Sequence, residues 1–334
     1  MISVIGENGK NFEPKSGIGG IKSFMDKLKL PDVALENRQD LYSPIDLVGM
    51  GNIETPILLL AEEGTLFRVP ARVGAKVSLD RASSRGIHMS RLYLLVQESL
   101  SSKTLSYTLL EDLSQEFLKT HKDLSRQAQI EVRFEAPLQR KALKSGNKAW
   151  RTYPVVLSVE NTEGRAQIFV EVLVTYSSTC PASAALARQL IQENFKREFL
   201  SQEELSFEDV HQWLGSAEGV NATPHAQRSE ARVKVQLTSS RDAFSFEDLI
   251  DVVEESLQTP VQGAVKRIDE QEFALRNGQN LMFCEDAVRR VKVLLDRVPE
   301  VTGYIVDVRH LESLHPHNAE ATVKKGRVSG LTLR

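Results

Sequence analysis

The stretch Thr179-Cys-Pro-Ala-Ser183 lies where a strongly alternating sequence ends and a helical sequence, rich in Ala, Leu and Gln, begins. The alternating part predicts a strand with one apolar face, formed by Ile168, Val170, Val172, Val174 and Tyr176. A helix N-terminus favours the thiolate form of a nearby cysteine, which is the form that binds metal or attacks carbon. Cys180 is therefore a candidate site residue, and the structural alternative is a small buried apolar residue.

The composition is that of a globular protein, with room for about two ordinary domains in 334 residues. A hydrophobic fraction of 41% is enough for a full core, and a net charge of −3 argues against a nucleic-acid partner. Two cysteines without framework spacing indicate a reducing compartment. No stretch approaches about 18 consecutive apolar residues, and no basic region precedes an apolar run at the start. We therefore expect a soluble cytoplasmic protein with no membrane partner.

The two halves of the chain share one plan, which is a strand region, two helices and further strands. The first half contains a predicted alternating strand, Phe67–Leu79. The second half contains a helix that Ser245 and Asp248 open as a capping box, and a further helix is expected at about 278–295. Mostly antiparallel strands with paired helices on one face predict an α+β tandem.

The predicted boundaries are a mobile leader, 1–30, a first unit, 31–165, and a second unit, 166–334. The second unit includes a helical insertion at about 184–219. The glycine-broken segment 45–56 is expected to cover another part of the fold.

The predicted helix near the end of the chain has an apolar stripe on which Cys284 falls, with Glu285 at its flank. Cys284 is therefore expected to pack in the core. A carboxylate beside a buried stripe is partly desolvated, which raises its pKa and suits proton transfer. The alternative for Glu285 is an ordinary boundary residue, or an ion pair with Arg289 at i+4.

The segment Glu312-Ser-Leu-His-Pro-His317 follows a predicted strand and contains two of the seven histidines. A His-x-His sequence on an extended segment puts both rings on the same face, which is a common way to present metal ligands or proton donors. Because Glu312 stands in the same segment, we favour a site over an ordinary surface loop.

Two further groups are weaker candidates. His225 lies in a loop next to a strand, where it could be a ligand, a proton shuttle or an exposed side chain. Arg85, His88 and Arg91 cluster at a predicted helix start, where cations can receive phosphate, and the alternative is a solvated surface. The sequence has no phosphate loop, dinucleotide glycine motif, nucleophile elbow or zinc-finger spacing, which excludes most nucleotide-binding and hydrolase classes.

Taken together and in order, these stretches resemble the type IB GTP cyclohydrolases, a metal-dependent branch of the tunnelling-fold enzymes. The similarity runs from about residue 30 to 322. The matching pieces are Leu30-Pro-Asp, Ile45-Asp-Leu-Val-Gly, Arg85-Gly-Ile-His-Met-Ser-Arg91, Thr179-Cys-Pro, His225-Ala-Gln-Arg-Ser229, Asp269-Glu-Gln271, Glu285-Asp286 with Val288-Arg289, and Glu312-Ser-Leu-His-Pro-His317.

The resemblance implies two tunnelling-fold units in one chain and a homotetrameric barrel with active sites at subunit interfaces. It also implies hydrolysis of GTP to formate and 7,8-dihydroneopterin triphosphate, the first step of tetrahydrofolate biosynthesis. Water must add to C8 of guanine, and a divalent metal would lower the pKa of that water. Mixed ligand types leave Zn²⁺, Mn²⁺ and Fe²⁺ open.

The same resemblance implies a role for each candidate side chain. Cys180 would be a metal ligand, and Glu270 a second ligand or near neighbour. Glu312 would anchor the purine-like ring. Glu285, His225 and His315 would transfer protons and contact the substrate. Further substrate contacts would come from Arg85, His88, Arg91 and His317.

The sequence departs from the family pattern in two places. The family usually has Cys-Pro-Cys-Ser, whereas position 182 is Ala. An essential second thiol would make this protein inactive or altered, but we expect it to be dispensable, because Cys180 alone can complete a mixed site. The insertion at about 184–219 separates Cys180 from His225 and could form a lid or an interface. Two alternatives remain open at this point. They are a tunnelling-fold nitrile reductase with Cys180 as nucleophile, and a non-catalytic purine-binding paralogue.

Overall fold

The structure is a computed structural model, and it describes residues 43–60, 64–238, 244–328 and 330–333. The leader expected at 1–30 lies outside these residues. Eight strands form one antiparallel sheet in which each strand pairs with its neighbours in the chain. They are β1 (Ile45–Leu60), β2 (Leu66–Leu79), β3 (Gln127–Lys141), β4 (Lys148–Thr162), β5 (Arg165–Thr179), β6 (Ala226–Leu237), β7 (Val301–His310) and β8 (Ala319–Lys325).

The helices of the described residues lie between these strands. The order strand, strand, helix, helix, strand, strand occurs twice, and the second occurrence carries additional helices. None of the described helices is long and apolar enough to cross a membrane. The helices are α1 (Met89–Ser102), α2 (Tyr107–Thr120), α3 (Pro181–Phe199), α4 (Phe207–Leu214), α5 (Phe246–Leu257), α6 (Arg267–Gln279) and α7 (Cys284–Leu295).

One face of the sheet is apolar, and α1, α2, α5 and α7 pack on it. The face follows from the two-residue period of the strands, because every second side chain of a strand points to the same side. On β2, Val73 and Val77 are fully buried, as the alternation of Phe67–Leu79 predicts. On β5, Val170 and Val174 continue the same layer. The α+β class with antiparallel strands is therefore confirmed, and the predicted domain boundaries stay predictions.

The segment 45–56 was expected to cover the fold, and this expectation is wrong, because it forms most of β1. The strand pairs with β2, but its register shifts between Met50 and Ile53. Asn52 adopts a positive φ of 56° within this irregularity. The bulge interrupts the alternation of apolar and polar residues, which is why the sequence does not read as a strand.

The predicted start of the helix at about 278–295 is also wrong. The structure has α6 up to Gln279, a break, and α7 from Cys284. The capping box of α7 explains the break, because the Asp286 carboxylate accepts from the backbone N–H of Phe283 at 3.1 Å. The predicted capping box at Ser245 and Asp248 is confirmed at the start of α5.

The opposite face of the sheet carries buried charges that a short peptide segment covers. The segment Gly330–Leu333, called the strap here, crosses this face and presents the backbone N–H groups of Thr332 and Leu333 to the Glu171 carboxylate at 2.7–2.9 Å. Lys234 donates to the Gly330 carbonyl at 3.1 Å. Leu333 also forms one wall of a cavity of about 660 Å³ over β1 to β4.

Candidate active site at the ends of strands β5, β6 and β7

The apolar face of the sheet becomes polar where β5 ends, β6 begins and β7 ends. The side chains that continue the apolar alternation at this end are hydroxyl, amide, imidazole and carboxylate groups. Their backbones are held in register, because Thr179 pairs with Ala226 and Ser229 pairs with His310. The side chains are Ser178, His225, Gln227, Ser229, His310 and Glu312.

Cys180 lies at the junction between β5 and α3, as the sequence predicts. It is the residue before the first helical position, which Pro181 occupies, and its side chain makes no capping hydrogen bond. The Cys180 side chain is half-buried, so it is not a core residue. The Cys180 backbone N–H donates to the His225 carbonyl at 3.3 Å, which places the two residues side by side across the end of the sheet.

His225 is half-buried and its imidazole is held on one side. Its Nδ1 atom lies 3.0 Å from the amide oxygen of Gln227 and 3.6 Å from Oε2 of Glu312. The backbone N–H of His225 donates to the hydroxyl of Ser183 at 2.7 Å, so the first turn of α3 supports the same residue. The structure thus brings together three predicted site residues, Cys180, His225 and Glu312.

A chain of buried polar groups runs from this imidazole into the sheet. The amide N–H of Gln227 donates to the Ser178 hydroxyl at 2.9 Å, and this hydroxyl lies 2.7 Å from that of Ser229. Ser229 in turn hydrogen-bonds Tyr176, whose hydroxyl lies 2.9 Å from Nε2 of His310. Burial lowers the pKa of His310 to about 4, so its imidazole is neutral at neutral pH.

Glu285 lies near the far end of this chain, at the first turn of α7, and it raises the pKa of His310 by its charge. The expectation that desolvation raises the pKa of Glu285 is wrong. Its side chain is exposed, and its pKa is lowered because its own backbone N–H and then the Cys284 thiol donate to it. Cys284 itself is buried in the core, as predicted. The ion pair considered between Arg289 and Glu285 goes instead to Asp286, at 3.2 Å.

His315 and His317 are exposed in the turn between β7 and β8. Their rings stack at 4.9 Å between centroids with an interplanar angle of 13°. Both rings therefore point the same way, although the backbone bends rather than extends through this segment.

Glu270 is exposed on α6. The neighbouring Asp269 is the buried carboxylate of this turn, and it accepts from the backbone N–H groups of Lys144 and Ser145 at 2.7 and 2.8 Å. Glu270 thus lies at the end of α6 that meets the β3–β4 turn, about 10 Å along the helix from Asn277, which bonds Ser177 of β5. Its role as a metal ligand stays a prediction.

Arg85, His88 and Arg91 lie at the opposite end of the sheet. They follow the end of β2, where the backbone N–H of Asp80 donates to the Leu124 carbonyl at 2.7 Å. Because each strand from β2 to β5 is antiparallel to the next, β2 and β5 run in opposite directions. Cys180 follows the last residue of β5 and therefore lies at the other end of the sheet. Fifteen residues of β5 span about 50 Å, so one nucleotide cannot touch both groups within one chain.

The candidate metal ligands among the described residues do not form a complete centre. Within residues 43–60, 64–238, 244–328 and 330–333, no three His, Cys, Asp or Glu side chains are grouped so that they could hold an ion. The thiol of Cys180, the imidazole of His225 and the carboxylate of Glu312 are donor types that Zn²⁺, Mn²⁺ or Fe²⁺ accepts, but within these residues they are not grouped closely enough to hold an ion by themselves.

Sequence reasoning missed Gln227, Ser178 and Ser229 as parts of the candidate site. Their spacing in the sequence could have identified them. Each lies an even number of residues from the apolar residues of its strand, which is a position that the alternation assigns to the core. Polar residues at core positions need hydrogen-bond partners, so their clustering at one end predicts a buried network.

Comparisons with known proteins agree on one family. The family model described as type I GTP cyclohydrolase folE2 matches residues 30–321. The protein named GTP cyclohydrolase FolE2 of Bdellovibrio bacteriovorus is 60% identical over 302 residues, covering 90% of this chain and 98% of that protein. The protein of the same name from Hydrogenovibrio crunogenus is 45% identical over 301 residues, covering 90% of this chain and 96% of that protein.

Among solved structures, the uricase of Arthrobacter globiformis aligns with 87% of this chain and 96% of that chain. The TM-score is 0.49 and the identity 8%, so this likeness is too weak to assign the fold or the chemistry.

Proposed function

Because the chain belongs to the type I GTP cyclohydrolase folE2 family, we propose that its hydrolysis of GTP takes place around Cys180, His225 and Glu312, at the ends of β5, β6 and β7. The family assignment covers residues 30–321, which include every one of these side chains. The products are formate and 7,8-dihydroneopterin triphosphate, and the reaction opens tetrahydrofolate biosynthesis. The family match does not favour a nitrile reductase or a non-catalytic paralogue.

The observation that carries this assignment is the meeting of His225 with Glu312 and Cys180. The three residues are far apart in the sequence, yet the hydrogen bond between Cys180 and His225 and the 3.6 Å contact between His225 and Glu312 join them. Oε2 of Glu312 is buried and makes no hydrogen bond within the described residues. A buried carboxylate oxygen without a donor is costly unless a ligand or a protonated partner supplies one.

The reaction needs groups that move protons at two stages. Water loses a proton as it adds to C8 of guanine, and the ring nitrogen gains one as the C–N bond breaks. We infer that His225 serves both stages, since a neutral imidazole accepts a proton and an imidazolium donates one. Glu285 is ionised at neutral pH because its pKa is lowered, so its role is that of a charged base or anchor and not an acid.

The resemblance to the type IB enzymes implies a homotetramer, and the separation of the two candidate groups supports this proposal. Arg85, His88 and Arg91 are basic groups suited to the triphosphate, but they lie at the sheet end opposite to Cys180. A second copy of the chain is the simplest source of basic groups at the Cys180 end. We propose that each active site combines the Cys180 end of one chain with the Arg85 end of another.

The same proposal covers the metal. Cys180 would be one ligand of a divalent ion, Zn²⁺, Mn²⁺ or Fe²⁺, and the missing ligands would include Glu270 as the resemblance implies. Such an ion would supply a water of lowered pKa. Chelation followed by return of each ion separately would identify it, with formate release as the measurement.

The decisive test is an anaerobic GTP assay on Cys180→Ala beside Ala182→Ser. Formate release should fall below detection in the first, because the thiol is lost, and stay near wild type in the second, whose side chain is exposed. Circular dichroism should show both variants folded, since the Cys180 side chain caps nothing. Full activity in folded Cys180→Ala would remove this site from the reaction.

A further inference from the structure

The helical hairpin at residues 181–220, which contains α3 and α4, leaves many apolar side chains exposed. It has a small core of its own, in which the ring of Trp213 packs edge to face against Phe199 with centroids 5.7 Å apart. Phe207, at the start of α4, is nevertheless 82% exposed, and Leu200 is 74% exposed. The other large apolar side chains exposed on the hairpin are Leu186, Leu190, Leu205, Leu214 and Val220. Single apolar residues are ordinary on a surface, but a dense group in one segment is typical of an interaction site.

The charged residues beside these apolar side chains are acidic. Residues 198–227 contain six acidic residues and no lysine or arginine. The acidic residues, all exposed, are Glu198, Glu203, Glu204, Glu208, Asp209 and Glu218. Four of them lie within four residues of Phe207 in the sequence, so acidic and apolar groups share the start of α4 and the loop before it. This surface fits a partner that is apolar and basic.

A surface of that kind lies on the same chain, at the Arg85 end. Residues 81–91 contain three arginines and no acidic residue. The arginines, all exposed, are Arg81, Arg85 and Arg91. On α1, which begins in the same segment, Leu94 is 64% exposed, and Met89 and Tyr93 are exposed as well. Because Met89 and Tyr93 are four residues apart, they lie on one face of α1. The Arg85 end is therefore complementary to the hairpin in charge and has apolar side chains for it to contact.

Within one chain these two surfaces cannot meet. The hairpin leaves the sheet after Cys180 and returns to it at His225, so both of its ends are attached beside the candidate site. The Arg85 end lies at the opposite end of the sheet, and the fifteen residues of β5 span about 50 Å. The 19 residues of α3 cover only about 28 Å. A contact between the two surfaces therefore needs a second copy of the chain.

We propose that the α3–α4 hairpin is the surface on which the Arg85 end of a second copy docks, with the ring of Phe207 against the exposed apolar face of α1 of that copy. The inference rests on the proposed function, in which each active site combines the Cys180 end of one chain with the Arg85 end of another. Because the hairpin is attached between Cys180 and His225, a chain that docks on it brings its arginines to the end of the sheet where these residues lie. The acidic residues favour this occupant and repel the equally acidic hairpin of another copy.

The test replaces Phe207 of the full-length protein with the photoreactive amino acid p-benzoylphenylalanine. Irradiation should produce a covalent dimer on a denaturing gel, and mass spectrometry of its peptides should join position 207 of one chain to residues 81–94 of the other. Adding Glu204→Lys should lower the yield of this dimer about tenfold, because a lysine then faces the arginines. The matched control is Glu255→Lys, which makes the same change of charge at an exposed residue of α5 and should leave the yield unchanged.

Several results would overturn the proposal. The absence of a covalent dimer, with or without a crosslink inside one chain, would leave the hairpin without this partner. A dimer joined through the hairpin of the second copy, or through any segment other than 81–94, would assign it another occupant. Equal yields in the two charge variants would remove the complementarity on which the choice of occupant depends. Circular dichroism checks the fold, and the same probe in place of Leu205 repeats the test if the first variant does not fold.

Failure of this proposal can be told apart from failure of the proposed function. Hybrids of Cys180→Ala with Arg85→Ala measure the two-chain active site through formate release, without reference to the hairpin. Recovery of activity in these hybrids without the crosslink would overturn the docking surface alone. The crosslink without recovery would contradict the two-chain active site and leave the contact between the copies in place.

Discussion

The hydroxyl of Tyr176 lies 2.9 Å from Nε2 of His310, and both side chains are buried between the sheet and the helices. Removing the hydroxyl with Tyr176→Phe leaves a buried ring nitrogen without its partner. We predict a loss of unfolding free energy of about 1–3 kcal/mol, measured by urea denaturation. Tyr304→Phe is the control, because its hydroxyl meets Asp296 near the surface at 3.0 Å and should cost less. Equal losses in the two variants would contradict the importance of the buried pair.

His310 should make the stability of the protein depend on pH. Its pKa is lowered from 6.5 to about 4 by burial, so between these values the unfolded chain binds a proton that the folded chain does not. Stability is unaffected above pH 6.5 and decreases as the pH falls towards 4, by about 3 kcal/mol at most. Urea unfolding of the wild type and of His310→Gln near pH 7 and near pH 5 would measure this. An identical decrease in both proteins would assign the effect to other groups.

Mixing experiments should reveal active sites built from two chains. We predict that Cys180→Ala and Arg85→Ala are each inactive, because each removes one end of every site. Denatured together and refolded as hybrids, they should recover about a quarter of the wild-type formate release, since random pairing leaves that share of sites intact. Cys180→Ala mixed with His225→Ala is the control and should recover nothing, because both residues lie at the same end. No recovery in the first mixture would place the whole site within one chain.

The attachment of the strap to the sheet should depend on the Glu171 carboxylate. Burial raises the pKa of this carboxyl, and the backbone N–H groups of Leu333 and Thr332 oppose that rise. We predict that Glu171→Gln weakens these hydrogen bonds by about 1–3 kcal/mol and that the amides of Thr332 and Leu333 exchange with deuterium correspondingly faster. Glu160→Gln, on the neighbouring strand β4, should leave their exchange unchanged. Unaltered exchange in Glu171→Gln would show that other contacts hold the strap.

Much of the sheet could be predicted from the sequence, because β2 and β5 alternate without interruption and a two-residue period has one structural meaning. The segment that became β1 could not, since its bulge at Asn52 breaks the pattern and only pairing with β2 restores a strand. The single helix expected at 278–295 failed for a similar reason. Its apolar stripe continues across the break, and only the capping of Phe283 by Asp286 marks the new start.

Part of the grouping of candidate site residues could be predicted from the sequence, and their roles stay predictions. Cys180, His225 and Glu312 could be selected by residue type and by resemblance, and the structure brings them together. The pKa of Glu285 could not be predicted, because its exposure and the donation from Cys284 depend on how α7 starts. The distance between Arg85 and Cys180 is equally invisible in a sequence, since it depends on which end of the sheet each loop occupies.

The polar end of the sheet has a consequence for how this protein tolerates change. The candidate site residues His225 and Gln227 lie on the same side of the sheet as the apolar residues of β6 that build the core, and an even number of residues separates them from Ala231. Deleting one residue between Gln227 and Ala231 would carry the imidazole to the charged side of the sheet while the core residues keep their pairing. Point substitutions along this strand can therefore reduce activity by different amounts, whereas an insertion or deletion of one residue should abolish activity.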